Sequence, residues 1–257
     1  MRRRNIIALF IFAVFYFVTG ILITLFQERL VYHPSPQDFY NCPALPEAEP
    51  VTHAGTRMYV SEPDKPVVVL YHGNAGSACD RAFYTDLFTD AGYGYVLVEY
   101  AGYSDDEETP SHDAIKEDMA NVIAYFETAS ITPAVVVGES IGTGIASYHA
   151  ALAPPLRLLL ISPFTDLRAV ARDRFWFYPT RFLVDNAYNN VTNLTNYPGD
   201  VAIIHGTADT VIPYQLGEAL YDSLGTNKTL TLIPEAGHND LFIFSETYTA
   251  ISEFLNQ

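Results

Sequence analysis

The stretch Ala134-Val135-Val136-Val137-Gly138-Glu139-Ser140-Ile141-Gly142-Thr143-Gly144 constrains this chain more than any other. Ala134–Val137 read as a buried strand, and the residues after Gly142 read as a helix. Strand, tight turn and helix form the setting in which a Gly-x-Ser-x-Gly turn presents a serine as nucleophile. A serine on so sharp a turn is strained, and the flanking glycines let strand and helix pass closely. The N–H groups at the start of the helix face the position where negative charge gathers during acyl transfer. A Gly-rich turn with no chemistry carries the same pattern, so the partners of Ser140 decide between the two.

The rest of the chain alternates in the same way. Val67–Tyr71, Tyr95–Val98, Leu158–Ile161 and Val201–Ile204 are apolar runs suited to parallel strands, Val67–Tyr71 as one buried on both faces, and Thr229–Ile233 reads as the last strand. Met58–Val60 suits an antiparallel edge strand. Helices are expected over about Asp80–Ala91, Ser111–Thr128, Tyr214–Leu224 and Leu241–Leu255. The class is therefore α/β, with a mostly parallel central sheet and helices on both faces. Active sites in such sheets form beyond the carboxyl ends of the strands. The segment of about 164–199 breaks the rhythm with Phe175, Trp176, Phe177, Tyr178, Phe182 and Tyr188. It reads either as a lid offering an apolar wall to an acyl chain or as extra helices packed on the core.

Ahead of this domain, Arg2-Arg3-Arg4 precede an uncharged apolar run, Ile6–Phe26. At 1.5 Å per residue the run spans roughly 30 Å, the thickness of a bilayer core. The expected division is a cytoplasmic stub (1–5), a transmembrane anchor (6–26), a Pro-rich connector (27–50) and a catalytic domain (51–257). The arginines keep the N-terminus cytoplasmic and send the domain to the exoplasmic, periplasmic or lumenal side. A cleaved signal peptide competes, with Val18-Thr19-Gly20 as its site, but the apolar run exceeds a usual signal core.

Ser140 needs a base oriented by a third group. Of the seven histidines, His33 lies in the connector, His53 precedes the sheet, His112 starts a helix and His149 sits inside one. His72 and His205 end buried strands, where histidines usually steady the loop. His238, on the loop after the last strand, remains as the base. Asp209 and Asp166 both leave strand ends between Ser140 and His238; Asp209 lies one strand before His238 and is preferred. The N–H of Ile141 and the N–H of Asn74, in the loop His72-Gly73-Asn74-Ala75-Gly76, are the expected oxyanion donors. That loop lacks the Lys and Ser/Thr of a phosphate-binding P-loop. Cys79 as a rival thiol nucleophile has no strand-end turn to present it. With a net charge of −16 and three lysines, the chain is a poor partner for nucleic acid.

The anchor with Leu30-Val31-Tyr32-His33-Pro34 and His72-Gly73-Asn74-Ala75-Gly76 open a set of motifs in a fixed order. Gly138-Glu139-Ser140-Ile141-Gly142, His205-Gly206-Thr207-Ala208-Asp209 and Gly237-His238-Asn239-Asp240 complete it. Together they resemble the membrane-anchored α/β-hydrolases of the serine hydrolase superfamily, over nearly the whole chain. The resemblance implies Ser140, Asp209 and His238 as a catalytic triad, with Asn74 and Ile141 as the oxyanion hole; no metal or cofactor is expected. Ala101 departs from it, standing where related sequences carry Arg or Pro.

The function expected is a serine hydrolase of carboxylic ester or thioester bonds in small or lipid-like acyl substrates. The alternatives are a peptidase-like or aminoacyl amide hydrolase, and a non-catalytic anchored binding protein on the same scaffold. A dehalogenase is disfavoured, because the turn carries Ser140 where that chemistry uses Asp.

Overall fold

A computed structural model of the protein describes residues 2–225 and 227–257, so Met1 of the expected stub lies outside the described residues. The strands are β1 (His33–Pro34), β2 (Glu49–His53), β3 (Thr56–Ser61), β4 (Val67–Tyr71), β5 (Ala75–Gly76), β6 (Gly94–Glu99), β7 (Pro133–Glu139), β8 (Arg157–Ile161), β9 (Asp200–Gly206) and β10 (Lys228–Ile233). Eight of them form one sheet in the order β10-β9-β8-β7-β4-β6-β3-β2. From β10 to β6 neighbours run parallel, while β3 is antiparallel to both β6 and β2. This is the mostly parallel α/β sheet expected from the apolar runs.

The helices are α1 (Arg2–Val31), α2 (Thr85–Asp90), α3 (His112–Ala129), α4 (Gly142–Leu152), α5 (Leu167–Arg174), α6 (Thr180–Leu183), α7 (Asn190–Leu194), α8 (Tyr214–Ser223) and α9 (Ser245–Leu255). Alternate residues of the central strands feed opposite cores. Val69, Val96, Val136 and Leu158 pack with Met119 of α3 and Ile145 of α4. Leu70, Leu97, Val137 and Leu159 pack with Phe88 of α2 and Phe254 of α9 on the other face. The all-buried run in β4 follows from its being covered on both sides.

Chain direction across the sheet reverses beside β4, which sits between β6 and β7. The loops leaving β4 and β7 therefore part to opposite faces and open a crevice at the carboxyl edge. Ser140 and the Gly73–Asn74 loop lie at that crevice.

Three expectations are adjusted. Helix α1 continues to Val31, past Phe26, because Gln27–Leu30 are sound helix formers and Pro34 is the first breaker. The helix expected over Asp80–Ala91 divides into a 3₁₀ turn, Cys79–Tyr84, and α2. Its first turn is tethered by a Cys42–Cys79 disulfide. The aromatic residues between β8 and β9 split between two roles. Phe164 and Tyr188 are buried in the core, whereas Trp176, Phe177 and Phe182 face outward.

Candidate active site

The turn after β7 holds Ser140 at φ +55°, in the left-handed region, and the Ser140 N–H donates to the Ile161 carbonyl at 2.8 Å. The glycines around it are required by contact. A methyl group on Gly138 would stand 2.6 Å from the Gly142 oxygen and the Thr143 Cα, and one on Gly142 would stand 2.6 Å from the His72 oxygen. Any side chain at either position would prise α4 away from β4 and β7.

His238 reaches Ser140 from the loop after β10. Its Nε2 lies 2.9 Å from the Ser140 Oγ, and its Nδ1 lies 2.7 Å from the Asp209 Oδ2. Asp209 follows β9, and its Oδ1 accepts the N–H groups of Val211 and Ile212, each at 2.8 Å. The Nε2–H of His205 donates to the Ile212 carbonyl at 2.9 Å and also comes within 3.2 Å of the Asp209 Oδ2. Burial works against charge on Asp209, but hydrogen bonds from His205 and His238 outweigh it and hold the carboxyl well below the usual range. A charged Asp209 accepts the Nδ1–H of His238 and leaves the Nε2 lone pair facing the Ser140 hydroxyl. Asp166, the other carboxylate weighed, accepts the Ala169 N–H at 3.1 Å and caps α5 instead.

The loop after β4 passes close to the serine: a methyl group on Gly73 would stand 3.5 Å from the Ser140 Cβ. Asn74 is clasped from three directions. Its carbonyl accepts the His33 N–H at 2.9 Å and the Tyr103 hydroxyl at 2.6 Å, and its side-chain amide donates to the Val31 carbonyl at 2.9 Å. Among the described residues, neither the Asn74 N–H nor the Ile141 N–H donates a hydrogen bond.

Some neighbours were not foreseen. Arg81 grips Glu139, the residue before Ser140, through Nε and an Nη2 contact of 2.8 Å, and the same guanidinium donates to the Ala75 carbonyl at 3.2 Å. It thus ties the serine turn to the Asn74 loop. Ser162, after β8, has a buried hydroxyl with no partner among the described residues. It lines a hollow of about 250 Å³ with Arg81, Ser140 and His238. The only sequence sign of Ser162 was its place at a strand end. Arg81 gave none, because 58 residues separate it from Glu139.

Residues 66–200 match the alpha/beta hydrolase fold family, and the chain belongs to that family. An uncharacterized Mycobacterium tuberculosis protein is 29% identical over 227 residues, covering 83% of this chain and 81% of that one. The lysophosphatidylserine lipase ABHD12 of Danio rerio is 29% identical over 199 residues, covering 69% of this chain and 51% of the lipase. This chain thus spans about half the length of that lipase. Among solved structures, an esterase from Pyrococcus furiosus superimposes with a TM-score of 0.69 at 15% identity, covering 88% of this chain and 96% of the esterase. One from Exiguobacterium antarcticum gives 0.61 at 17%, covering 81% and 99%. At these identities the solved structures speak for the fold.

Proposed function

We propose that the protein is a serine hydrolase that cleaves acyl esters or thioesters, with lipid-like acyl groups as its substrate class. The observation that carries this reading is the unbroken relay from the Ser140 Oγ through His238 to Asp209. Ser140 attacks the substrate carbonyl while its proton passes to the His238 Nε2. The oxyanion that forms accepts hydrogen bonds from the N–H groups of Ile141 and Asn74. As the tetrahedral species collapses, the bond to the leaving group breaks and His238 returns the proton to the departing alcohol or thiol. Water then attacks the acyl-enzyme with His238 again as base, releasing the acid and restoring Ser140. Asp209 stays charged throughout and offsets the imidazolium.

The relatives named lysophosphatidylserine lipases make a single-chain lysophospholipid the first natural substrate to test. The chain is read as a stub (1–5), an anchor (6–26), a connector (27–50) and a hydrolase domain (51–257) with an insertion at about 164–199. Helix α1 is long and apolar enough to cross a membrane. Its bonds to the insertion and the pairing of β1 with β5 support a retained anchor over a cleaved leader. The Cys42–Cys79 disulfide supports an oxidising compartment for the domain, across the membrane from the N-terminal arginines. Protease digestion of sealed vesicles tests that topology: protection of the domain inside inverted vesicles agrees with it, and cleavage there refutes it.

A fluorophosphonate probe tests the chemistry. The full chain should be labelled and its Ser140→Ala variant should not. Equal labelling of the two would overturn the assignment of Ser140.

A further inference from the structure

Helix α1 is apolar on every side, yet one of its faces is covered. Tyr16, Thr19, Gly20, Ile23 and Gln27 are the partly or fully buried positions along it up to Gln27, spaced three and four apart. What covers them is the segment between α5 and Tyr188. The Tyr16 hydroxyl donates to the Phe177 carbonyl at 2.8 Å, and its ring stacks on Tyr178 at 4.6 Å. Thr19 bonds the Tyr178 hydroxyl, Thr24 donates to the Leu183 carbonyl at 3.0 Å, and Gln27 accepts the Asp185 N–H at 2.8 Å.

These contacts begin at Tyr16, midway along the apolar run. If the covering segment stayed in water, only Ile6–Phe15 could lie in hydrocarbon, a length of about 15 Å where the bilayer core is about 30 Å thick. Helix α1 can span only if the segment enters the bilayer beside it. The segment's surface suits that place. Trp176 is 80% exposed and Phe182 73%, far more than a water-facing cap needs. Arg168, Arg172, Arg174 and Arg181 cluster here in a chain of net charge −16. Among the described residues none of the four pairs with a carboxylate. Long arginine side chains beside an apolar surface reach up to lipid phosphates.

Between α1 and this segment lies a cavity of about 430 Å³, lined by Ile23, Leu30, Val31, Leu167, Val170 and Val184. Its volume falls in the range of small-ligand sites. His33 and Val211 also line it. The His33 N–H bonds the Asn74 carbonyl and the Val211 N–H bonds Asp209, so two lining residues of the cavity are hydrogen-bonded to residues beside Ser140 and His238.

We propose that the α5–α6 insertion is immersed in the outer half of the bilayer against α1, and that the cavity between them takes one lipid acyl chain laterally from the membrane. The polar head then rests in the hollow beside Arg81 and Ser162. The immersion is independent of the chemistry at Ser140; the cavity's use as a substrate site rests on that chemistry as read above.

Trp176 is the sole tryptophan, which makes the first measurement direct. The full chain is placed in nanodiscs whose phospholipids carry bromine at mid-chain. Immersion predicts loss of most Trp176 emission to the brominated lipid and little loss to aqueous iodide; the reverse pattern overturns it. For the cavity, a palmitate bearing a mid-chain diazirine is photolysed with the Ser140→Ala protein, so turnover plays no part. Crosslinks are expected within Ile23–Val31 and Leu167–Arg174, competed by excess palmitate and reduced about tenfold by adding Ala171→Phe, a side chain that fills the cavity. Crosslinks confined to the outward-facing residues Phe10, Ile11, Val14, Phe15 and Val18 overturn the acyl site. If the wild-type chain resists the fluorophosphonate probe while the cavity crosslinks persist, the hydrolase reading falls and the lipid site stands.

Discussion

The side-chain amide of Asn74 donates to the carbonyl of Val31 at 2.9 Å, joining the loop beside Ser140 to the last residue of α1. Val31 is 43 residues away in sequence. The next bond in the clasp, from the His33 N–H to the Asn74 carbonyl, belongs to the same crossing. The chain leaving α1 thus fixes the loop whose backbone is proposed to receive the oxyanion. An oxyanion donor gains its effect from being held in place before the reaction.

Asn74→Ala keeps the backbone N–H but loses the tether to Val31. We expect kcat to fall about tenfold with little change in KM, since the loss falls on the transition state. Stability should drop by only about 1 kcal/mol, one hydrogen bond's net worth. Steady-state kinetics on an activated ester beside a denaturation curve checks both. An unchanged kcat would mean that the tether does not position the loop.

Asp209 and Asp166 can be separated by one kind of change. Asp209→Asn keeps an oxygen for the Val211 and Ile212 N–H groups, so the loop should stay folded. It no longer dictates which nitrogen of His238 carries the proton, and the rate should fall by about 10³–10⁴. Asp166→Asn retains an N-cap acceptor for Ala169 and should leave both fold and rate nearly unaltered. A larger rate loss at Asp166 than at Asp209 would reverse the assignment of the acid.

The parallel sheet was legible because its strands are buried on both faces and so spell continuous apolar runs such as Val67–Tyr71. Ser140, Asp209 and His238 were legible as candidates because each follows a strand read from the sequence, and the loops leaving parallel strands gather at one sheet edge. The bracing of the site was not. β1 has two residues, too few for any period to show, and its pairing with β5 depends on how the chain leaving α1 meets the sheet. A helix that is apolar all round hides which face is covered, so the insertion's grip on Tyr16 and Gly20 left no mark in the pattern. The grip of Arg81 on Glu139 joins the 3₁₀ turn to a strand end across the sheet edge, and no local spacing records it.

Asp118 predicts a pH effect on stability. It is 7% exposed and accepts the Thr56 hydroxyl at 2.8 Å and the Ala101 N–H at 2.7 Å. Burial pushes its carboxyl up to about 6; those two bonds lower it, and Glu108 and Asp106 add to the rise. A carboxyl raised on folding binds its proton more tightly in the folded chain. The stability it contributes is whole below its unfolded value of about 4 and is lost as pH rises through about 6. The loss is about 3 kcal/mol at most for a shift of this size. Asp118→Asn should flatten this window, so the stability difference, variant minus wild type, should rise between pH 4 and pH 6. Urea denaturation at several pH values measures it. A flat difference would show that Asp118 ionises as it does in the unfolded chain.

The Cys42–Cys79 disulfide joins the connector to the turn that carries Arg81, with 37 residues of separation. Closing a loop of that length restricts the unfolded chain by about 4 kcal/mol in the entropy account, an upper figure because strain and residual structure subtract from it. Cys42→Ser with Cys79→Ser should therefore lower stability by roughly 2–4 kcal/mol. The bond also reaches the candidate site, because Arg81 lies two residues beyond Cys79 and holds Glu139 beside Ser140. The double variant should lose activity at temperatures where it is still folded. Comparing activity and circular dichroism across one temperature series separates the two effects. If activity and fold are lost together, the bond acts on stability alone and Arg81 keeps its hold without it.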